Sequence, residues 1–294
     1  MFHVRGRRLG RLAGLAAAVS LTVVGPTVPS AGAASSPTPV FNPPKSYYLS
    51  LGDSLGFGFQ LQKFFDLVDA GAYTPDAFNH GYTDDFAALM RQVSPNLKVV
   101  NYSCPAESTT SMIEGPCGYQ EFFALHDAYA GSQLDAALAF LRSHSGQVSP
   151  ITISMSTNDI DPLFTDTCNF DLTCVAAGTK ATTDALRTNL TRILTALRRA
   201  APNAEIITIA PWTDFYRGAA VDAAYAKFLP AVYDAAAAAR AYVVDGYSLI
   251  TSSGQQCALT FLCTDLEDAH PTDVGYARLA DAFWTVSGYA RLQN

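Results

Sequence analysis

The sequence predicts an α/β fold in which a parallel sheet carries helices on both of its faces. Five short runs rich in β-branched and aromatic residues have the length of strands, and stretches of helical character lie between and after them. Strands that alternate with helices in this way form parallel sheets. In such sheets ligands bind beyond the carboxyl ends of the strands, and here polar motifs follow several of the runs.

The strand-like runs cover residues 47–51, 97–102, 151–155, 205–210 and 241–244. The predicted helices cover residues 135–144, 182–201, 219–240 and 272–289. The second helix is the clearest, because Leu186, Leu190 and Leu197 recur on one of its faces. Pro230 should bend the third. No internal repeat or second domain is evident.

The composition limits the kinds of function open to the chain. Of its 294 residues, 49% are hydrophobic and 15% are charged, so it can bury a sizeable core and is unlike a disordered chain. The formal net charge is -7. An acidic chain is a poor candidate for binding nucleic acid through phosphates, and we expect no nucleic-acid partner.

The N-terminus has the pattern of a secretory signal peptide. The first 11 residues carry four arginines and no acid, residues 12–24 are apolar, and residues 31–33 fit a small-residue cleavage site. An uncleaved anchor is the alternative, although the apolar stretch is short for a bilayer span. The pair Arg7-Arg8 leaves open whether export follows the general or the twin-arginine route.

These patterns divide the chain into three parts. Residues 1–33 are the predicted signal peptide, residues 34–46 are a linker rich in Pro and Ser, and residues 47–294 are the folded domain. We therefore expect a secreted protein that is a monomer and has no stable membrane span.

Six cysteines fall into three pairs that are local in the sequence. An even number of cysteines in an exported chain indicates disulfides, although several pairings are possible. We predict the local pairs Cys104–Cys117, Cys168–Cys174 and Cys257–Cys263. None of these spacings is a CxxC, so we expect no zinc site.

The candidate nucleophile is a serine that follows the first strand-like run. The segment GDSL places Ser54 where a strand turns into a helix, so its hydroxyl can lie at the edge of the sheet. Its amide then lies near a helix N-terminus, which favours developing negative charge. A helix cap is the alternative role for this serine. With Gly56 the stretch also matches the GxSxG elbow of α/β-hydrolases, but that elbow normally follows several strands.

Three further polar segments accompany Ser54. His270, in the segment DAHPT, follows the last strand-like run and is the candidate base, because a serine nucleophile usually needs a neutral histidine. Asn158, in the segment STND, can donate its amide to an oxyanion, or it can form an Asx turn or a cap. In the segment NYSCPAES a backbone amide is a further candidate donor.

Together these segments resemble the SGNH hydrolases, also called GDSL esterases and lipases. The resemblance extends from Tyr47 to the end of the chain and is specific at GDSL, STND and AHPTDVGY. The pattern CALTFLC is similar to the secreted bacterial branch of this family. The resemblance implies a flavodoxin-like three-layer α/β/α sandwich around a five-stranded parallel sheet.

The resemblance also implies roles for single residues. Ser54 matches the nucleophile, His270 the general base and Asn158 the side-chain donor of the oxyanion hole. The amide of Ser54 is a second donor. The third donor of the family is the amide of a glycine, and the matching position here is Ala106. Alanine keeps the N–H, provided that the backbone angles suit a residue with a Cβ.

The sequence leaves two adjacent residues as candidates for the acid that orients His270. The family usually has an aspartate three residues before the histidine, and that position is Glu267, with Asp268 next to it. Either carboxylate can hold the imidazole in the right tautomer, and some relatives use a backbone carbonyl. The spacing of three residues before the histidine favours Glu267, whereas the shorter side chain favours Asp268. We prefer Glu267.

The function that the resemblance implies is hydrolysis of carboxylic esters through an acyl-enzyme, on a small-molecule or lipid ester and without a metal or organic cofactor. Deacetylation of a polysaccharide and phospholipase activity are alternatives at the same site. A binding module without chemistry is an alternative of another class, and the intact Ser54, Asn158 and His270 argue against it. The predicted signal and paired cysteines argue against a cytosolic flavodoxin-like cofactor binder.

Overall fold

The computed structural model describes residues 39–293. The signal peptide predicted for residues 1–33 lies outside the described residues, as does the first part of the predicted linker. The described end of that linker contacts the domain, because the backbone N of Asn42 donates a 2.7 Å hydrogen bond to Oε2 of Glu205.

A five-stranded parallel sheet forms the centre of the domain. Its strands are β1 (Tyr47–Gly52), β2 (Lys98–Asn101), β3 (Val148–Ser154), β4 (Ile206–Ala210) and β5 (Tyr242–Asp245). Their order across the sheet is β2-β1-β3-β4-β5, and all neighbours are parallel. This is the flavodoxin-like order, and the predicted fold class is confirmed. The order reverses between β1 and β3, which opens a crevice at their carboxyl ends.

Helices cover both faces of the sheet. They are α1 (Ser54–Phe57), α2 (Leu61–Asp69), α3 (Tyr82–Arg91), α4 (Thr109–Glu114), α5 (Gln133–Ser143), α6 (Thr157–Pro162), α7 (Leu172–Ala200), α8 (Ala219–Tyr225), α9 (Leu229–Ala239), α10 (Gln256–Leu259) and α11 (Asp273–Ser287). A short antiparallel pair, β6 (Thr260–Phe261) and β7 (Asp268–Pro271), precedes α11.

Two apolar cores separate the three layers. Successive residues of a strand point to opposite faces of a sheet. Leu49 accordingly packs with α5, α7 and α9, whereas Tyr48 packs with α3 and α11. These cores fix the sheet between its helices, so the loops at the carboxyl edge start from rigid supports.

Two helices differ from their predicted extents. Helix α7 begins ten residues earlier than residue 182, because the side chain of Asp171 caps it and accepts a 2.8 Å hydrogen bond from the N of Thr173. The helix predicted for residues 219–240 is split into α8 and α9. Pro230 lies in the first turn of α9, where its missing N–H breaks no helical hydrogen bond.

Three disulfides close loops around the domain. They join Cys104 to Cys117, Cys168 to Cys174 and Cys257 to Cys263, which are the pairs that the sequence predicted. Within residues 39–293, no helix combines the length and the apolar character that a bilayer span requires.

Glu205 is a buried carboxylate directly before β4. Its Oε2 accepts the hydrogen bond from Asn42, whereas Oε1 has no partner among the described residues. Burial raises the pKa of Glu205 to about 7, and the hydrogen bond from Asn42 and the charge of Arg198 only partly oppose this. The folded protein therefore holds a proton at Glu205 under conditions in which the unfolded chain has released it.

We expect the free energy of unfolding to fall as the pH rises from about 5 to about 8, and we expect Glu205→Gln to make this fall smaller. The folded state binds more protons than the unfolded state between the ordinary pKa near 4.5 and the raised value near 7, so stability decreases with pH across that window. Chemical denaturation at several pH values measures the effect. Glu121→Gln, at an exposed position, is the matched control. Identical pH dependence in wild type and Glu205→Gln contradicts the prediction.

Candidate active site

Ser54 is the first residue of α1 and follows the end of β1. Asp53 caps this helix, because its Oδ1 accepts a 3.0 Å hydrogen bond from the N of Leu55. Gly52 has a φ of +116°, and a Cβ at this position would lie 1.9 Å from the carbonyl oxygen of Ser154 in β3. Glycine is therefore required for β1 to turn this close to β3. The turn brings Ser54 to the carboxyl edge of the sheet.

His270 lies in β7 and connects Ser54 to a buried carboxylate. Its Nε2 is 2.8 Å from Oγ of Ser54, and its Nδ1 is 2.5 Å from Oδ1 of Asp268. The other carboxylate oxygen, Oδ2, accepts a 2.9 Å hydrogen bond from the N of Leu61 at the start of α2. In such a chain the imidazole can take a proton from the hydroxyl while the carboxylate holds the ring in place.

The carboxylate that contacts Nδ1 of His270 is Asp268, and not Glu267, which the sequence analysis preferred as the acid. The exposed side chain of Glu267 forms an ion pair with Arg217, with 2.9 Å between Oε2 and Nη2. Residues two positions apart in a strand share a face, and β7 therefore presents Asp268 and His270 on the same side. No pattern in the sequence marks this short strand, so counting three residues back from the histidine pointed to Glu267, which the structure places on Arg217.

Burial and hydrogen bonding act on Asp268 in opposite directions. Burial raises the pKa of this carboxyl, but the hydrogen bonds from His270 and Leu61 and the charge of His270 outweigh it, so the pKa lies below its ordinary value. An ionised carboxylate at this position stabilises an imidazolium. Asp53 differs, because burial raises its pKa to about 7 despite the hydrogen bond from Leu55.

Asn158, in the first turn of α6, and Ala106, in the loop after β2, lie in two segments that contact each other. Asn158 follows β3 and Ala106 follows β2, and these two strands flank β1. Nδ2 of Asn158 donates a 2.9 Å hydrogen bond to the carbonyl of Glu107, which leaves its second N–H for another acceptor. Ala106 has a φ of 64°, in the left-handed region that glycine adopts readily. Both candidate oxyanion donors thus lie at the edge that carries Ser54.

Two side chains that the sequence did not single out hold the histidine segment. Nε2 of Gln60 donates to Oδ1 of Asp273 at 2.9 Å and to the carbonyl of Pro271 at 3.2 Å. Nε1 of Trp212, in the loop after β4, donates to the carbonyl of Ala269 at 3.3 Å. These partners are distant in the sequence, so no local pattern marks them.

One group of potential metal ligands occurs among the described residues. Cys104, Glu107 and Cys117 bring their donor atoms within 4.8 Å of one another. Both cysteines are joined in a disulfide, so their thiolates are not free to bind a metal.

A comparison with protein families shows the family of the chain. The model of the GDSL-like Lipase/Acylhydrolase family matches residues 50–278, a range that contains Ser54, Asn158 and His270. The chain therefore belongs to this family and is a carboxylic ester hydrolase, as the sequence resemblance implied. None of the curated proteins compared with the chain matches it.

Several solved structures share the fold at low sequence identity. The extracellular lipase from Streptomyces rimosus is 19% identical with a TM-score of 0.56, and the match covers 82% of this chain and 99% of the lipase. An acetylxylan esterase from Geobacillus stearothermophilus is 16% identical with a TM-score of 0.54, over 85% and 97% of the two chains. A lipase from a goat rumen metagenome is 17% identical with a TM-score of 0.54, over 84% and 99%.

We expect Asp268→Ala to lower kcat by about 1,000- to 10,000-fold, because loss of a triad acid leaves the histidine in the wrong tautomer or orientation. Glu267→Ala is the matched control, since its carboxylate pairs with Arg217, and its kcat should stay within about 2-fold of wild type. Hydrolysis of a chromogenic ester measures both, after circular dichroism has shown that each variant is folded. The opposite ranking of the two variants contradicts the assignment.

Proposed function

We propose that this protein hydrolyses carboxylic esters through an acyl-enzyme formed on Ser54, with His270 as general base and Asp268 as the acid that orients it. The observation that carries the proposal is the hydrogen-bonded chain of these three side chains, with contacts of 2.8 Å and 2.5 Å. Ser54, Asn158 and Ala106 supply the candidate oxyanion donors at the same edge.

In the acylation half of the reaction, Oγ of Ser54 attacks the ester carbonyl carbon as its proton moves to Nε2 of His270. The resulting imidazolium is stabilised by the ionised Asp268. The negative charge on the former carbonyl oxygen is stabilised by the amide of Ser54, the side chain of Asn158 and the amide of Ala106. When the tetrahedral intermediate collapses, the alcohol leaves with the proton from Nε2, and the acyl group remains on Ser54.

In the deacylation half, His270 acts on water as it acted on the serine. Nε2 takes a proton from a water molecule, whose oxygen attacks the acyl carbon, and the same donors stabilise the second tetrahedral intermediate. Collapse of this intermediate breaks the bond to Ser54, and the proton returns from Nε2 to Oγ. The carboxylic acid is released, and no redox step or cofactor is needed.

Apolar side chains near the triad are the basis for proposing that the ester has an apolar acyl or alcohol part. The ring of Phe59 lies 5.0 Å from that of His270, and the ring of Phe64 lies 5.1 Å from Phe59. Beside the triad acid, a cavity of about 500 Å³ is lined in part by Phe261 and Leu266. Because the structural neighbours include lipases and an acetylxylan esterase, substrates of both kinds belong in the assay.

We propose that the protein is exported. The arginine-rich start, the apolar stretch and the small residues at positions 31–33 support cleavage of a signal peptide. The three disulfides support an oxidising compartment, in which such bonds persist.

We expect Ser54→Ala to abolish nearly all ester hydrolysis, because the nucleophile is lost. The expected fall in kcat is about a million-fold. The measurement is kcat and KM for p-nitrophenyl esters of increasing acyl length and for acetylated xylan. A fluorophosphonate probe should label the wild-type protein and not the variant.

Ser145→Ala is the matched control, since Ser145 is exposed in the loop that leads into β3 from the opposite edge of the sheet. Its kinetics should equal those of the wild type. A folded Ser54→Ala protein that keeps more than about a tenth of the wild-type rate refutes the proposed nucleophile.

We expect Asn158→Ala to lower kcat by about 100- to 1,000-fold with a smaller effect on KM. The reason is that an oxyanion donor interacts most strongly with charge that develops in the transition state. Steady-state kinetics on one ester measure both constants. A variant in which only KM changes shows that Asn158 binds the ground state and is not an oxyanion donor.

A further inference from the structure

Gln133 is a fully buried residue whose side chain pairs with the backbone at the end of β1. Its Oε1 accepts a 2.6 Å hydrogen bond from the N of Gly52, and its Nε2 donates a 2.9 Å hydrogen bond to the carbonyl of Gly52. The orientation of the amide is forced, because rotating it by 180° would place like groups against each other. Gln133 is the first residue of α5 and is far from Gly52 in the sequence.

This pairing replaces one missing backbone contact. The register of β1 with β2 ends at the pair Ser50 and Asn101, and beyond it the N of Cys104 still donates a 2.9 Å hydrogen bond to the carbonyl of Gly52, so the N–H of Gly52 is the group that takes its partner from a side chain. A buried backbone N–H without a partner costs stability, and the side-chain amide of Gln133 supplies the partner. Gly52 is two residues before Ser54, so Gln133 restrains the peptide from which the nucleophile turn starts.

The same amide also reaches the loop that carries Ala106 and that contacts Asn158. Nε2 of Gln133 lies 3.1 Å from Oε2 of Glu107, a carboxylate oxygen that also accepts a 3.2 Å hydrogen bond from the hydroxyl of Tyr129. The carbonyl of Glu107 in turn accepts the hydrogen bond from Nδ2 of Asn158. Ala106 is the residue before Glu107.

We propose that Gln133 is a positioning residue for the oxyanion hole. By binding Gly52 and Glu107 at once, it sets the distance between the amide of Ser54 and the two other donors, Ala106 after β2 and Asn158 in α6. The inference rests on the proposed acyl-transfer function. The hydrogen bonds of the Gln133 side chain go to Gly52, Glu107 and Tyr129, so its effect on the proton transfer through His270 should be small.

The test is Gln133→Met, which keeps the length of the side chain and removes both its donor and its acceptor. We expect kcat to fall by about 10- to 100-fold, because small displacements of reacting groups have effects of this size. KM should stay within about 2-fold, and the pH at which kcat/KM is half-maximal should not move. Gln256→Met is the matched control, since Gln256 is also buried and its Nε2 has no partner among the described residues.

A double-mutant cycle with Asn158→Ala separates positioning from a general structural role. If Gln133 acts through the oxyanion donors, the double variant should lose little more kcat than Asn158→Ala alone, because the two changes remove one stabilisation. If the two losses multiply, if KM carries the effect, or if Gln133→Met keeps kcat within about 2-fold, the inference is overturned.

Gln133→Glu serves as the second variant if Gln133→Met does not fold. It keeps an oxygen for the N–H of Gly52 but places a carboxylate against the carbonyl of Gly52 and against Glu107. The same kinetic pattern is expected, and wild-type kcat in this variant overturns the inference. A wild-type protein that hydrolyses no ester refutes the proposed function itself, whereas an active wild type with an unaffected Gln133→Glu refutes only the role of Gln133.

Discussion

The hydrogen bond between Oγ of Ser54 and Nε2 of His270 joins residues that are 216 positions apart, and the arrangement of the site depends on it. It can form because β1 ends at the carboxyl edge of the sheet and β7 lies at that edge. Much of the surrounding structure keeps this contact in place. The start of α2 is an example, since the N of Leu61 binds Asp268, and Gln60 binds the segment after the histidine.

The two sides of the site are held by different means. On the histidine side, Asp268 is ionised because hydrogen bonds and the charge of His270 outweigh its burial. On the other side, the side-chain amides of Gln133 and Asn158 connect β1 with the segments that follow β2 and β3. A charge that develops on a substrate oxygen would therefore meet fixed dipoles, which need little reorganisation when the charge forms.

Most of the sheet could be predicted from the sequence, because each of its strands is a short run of β-branched and aromatic residues. The helices were predicted less well where capping decides their ends, as with Asp171 at the start of α7. Helices α2 and α3, the short helices α4, α6 and α10, and the β6–β7 pair were missed. The apolar residues of α2 do recur at helical spacing, so the sequence carried a signal for this helix, whereas β6 and β7 are too short to leave a periodic pattern.

By itself the sequence determined the fold class, the family and the candidate roles of Ser54, His270 and Asn158, because each of these residues lies in a local segment that follows a strand. The tertiary structure alone decided that Asp268 and not Glu267 contacts His270, since the strand β7 sets which side chains share a face. It also brings the side chains of Gln133 and Gln60 to the backbone groups that they bind. Their hydrogen bonds join segments far apart in the chain, and no local pattern of residue types records a contact between such segments.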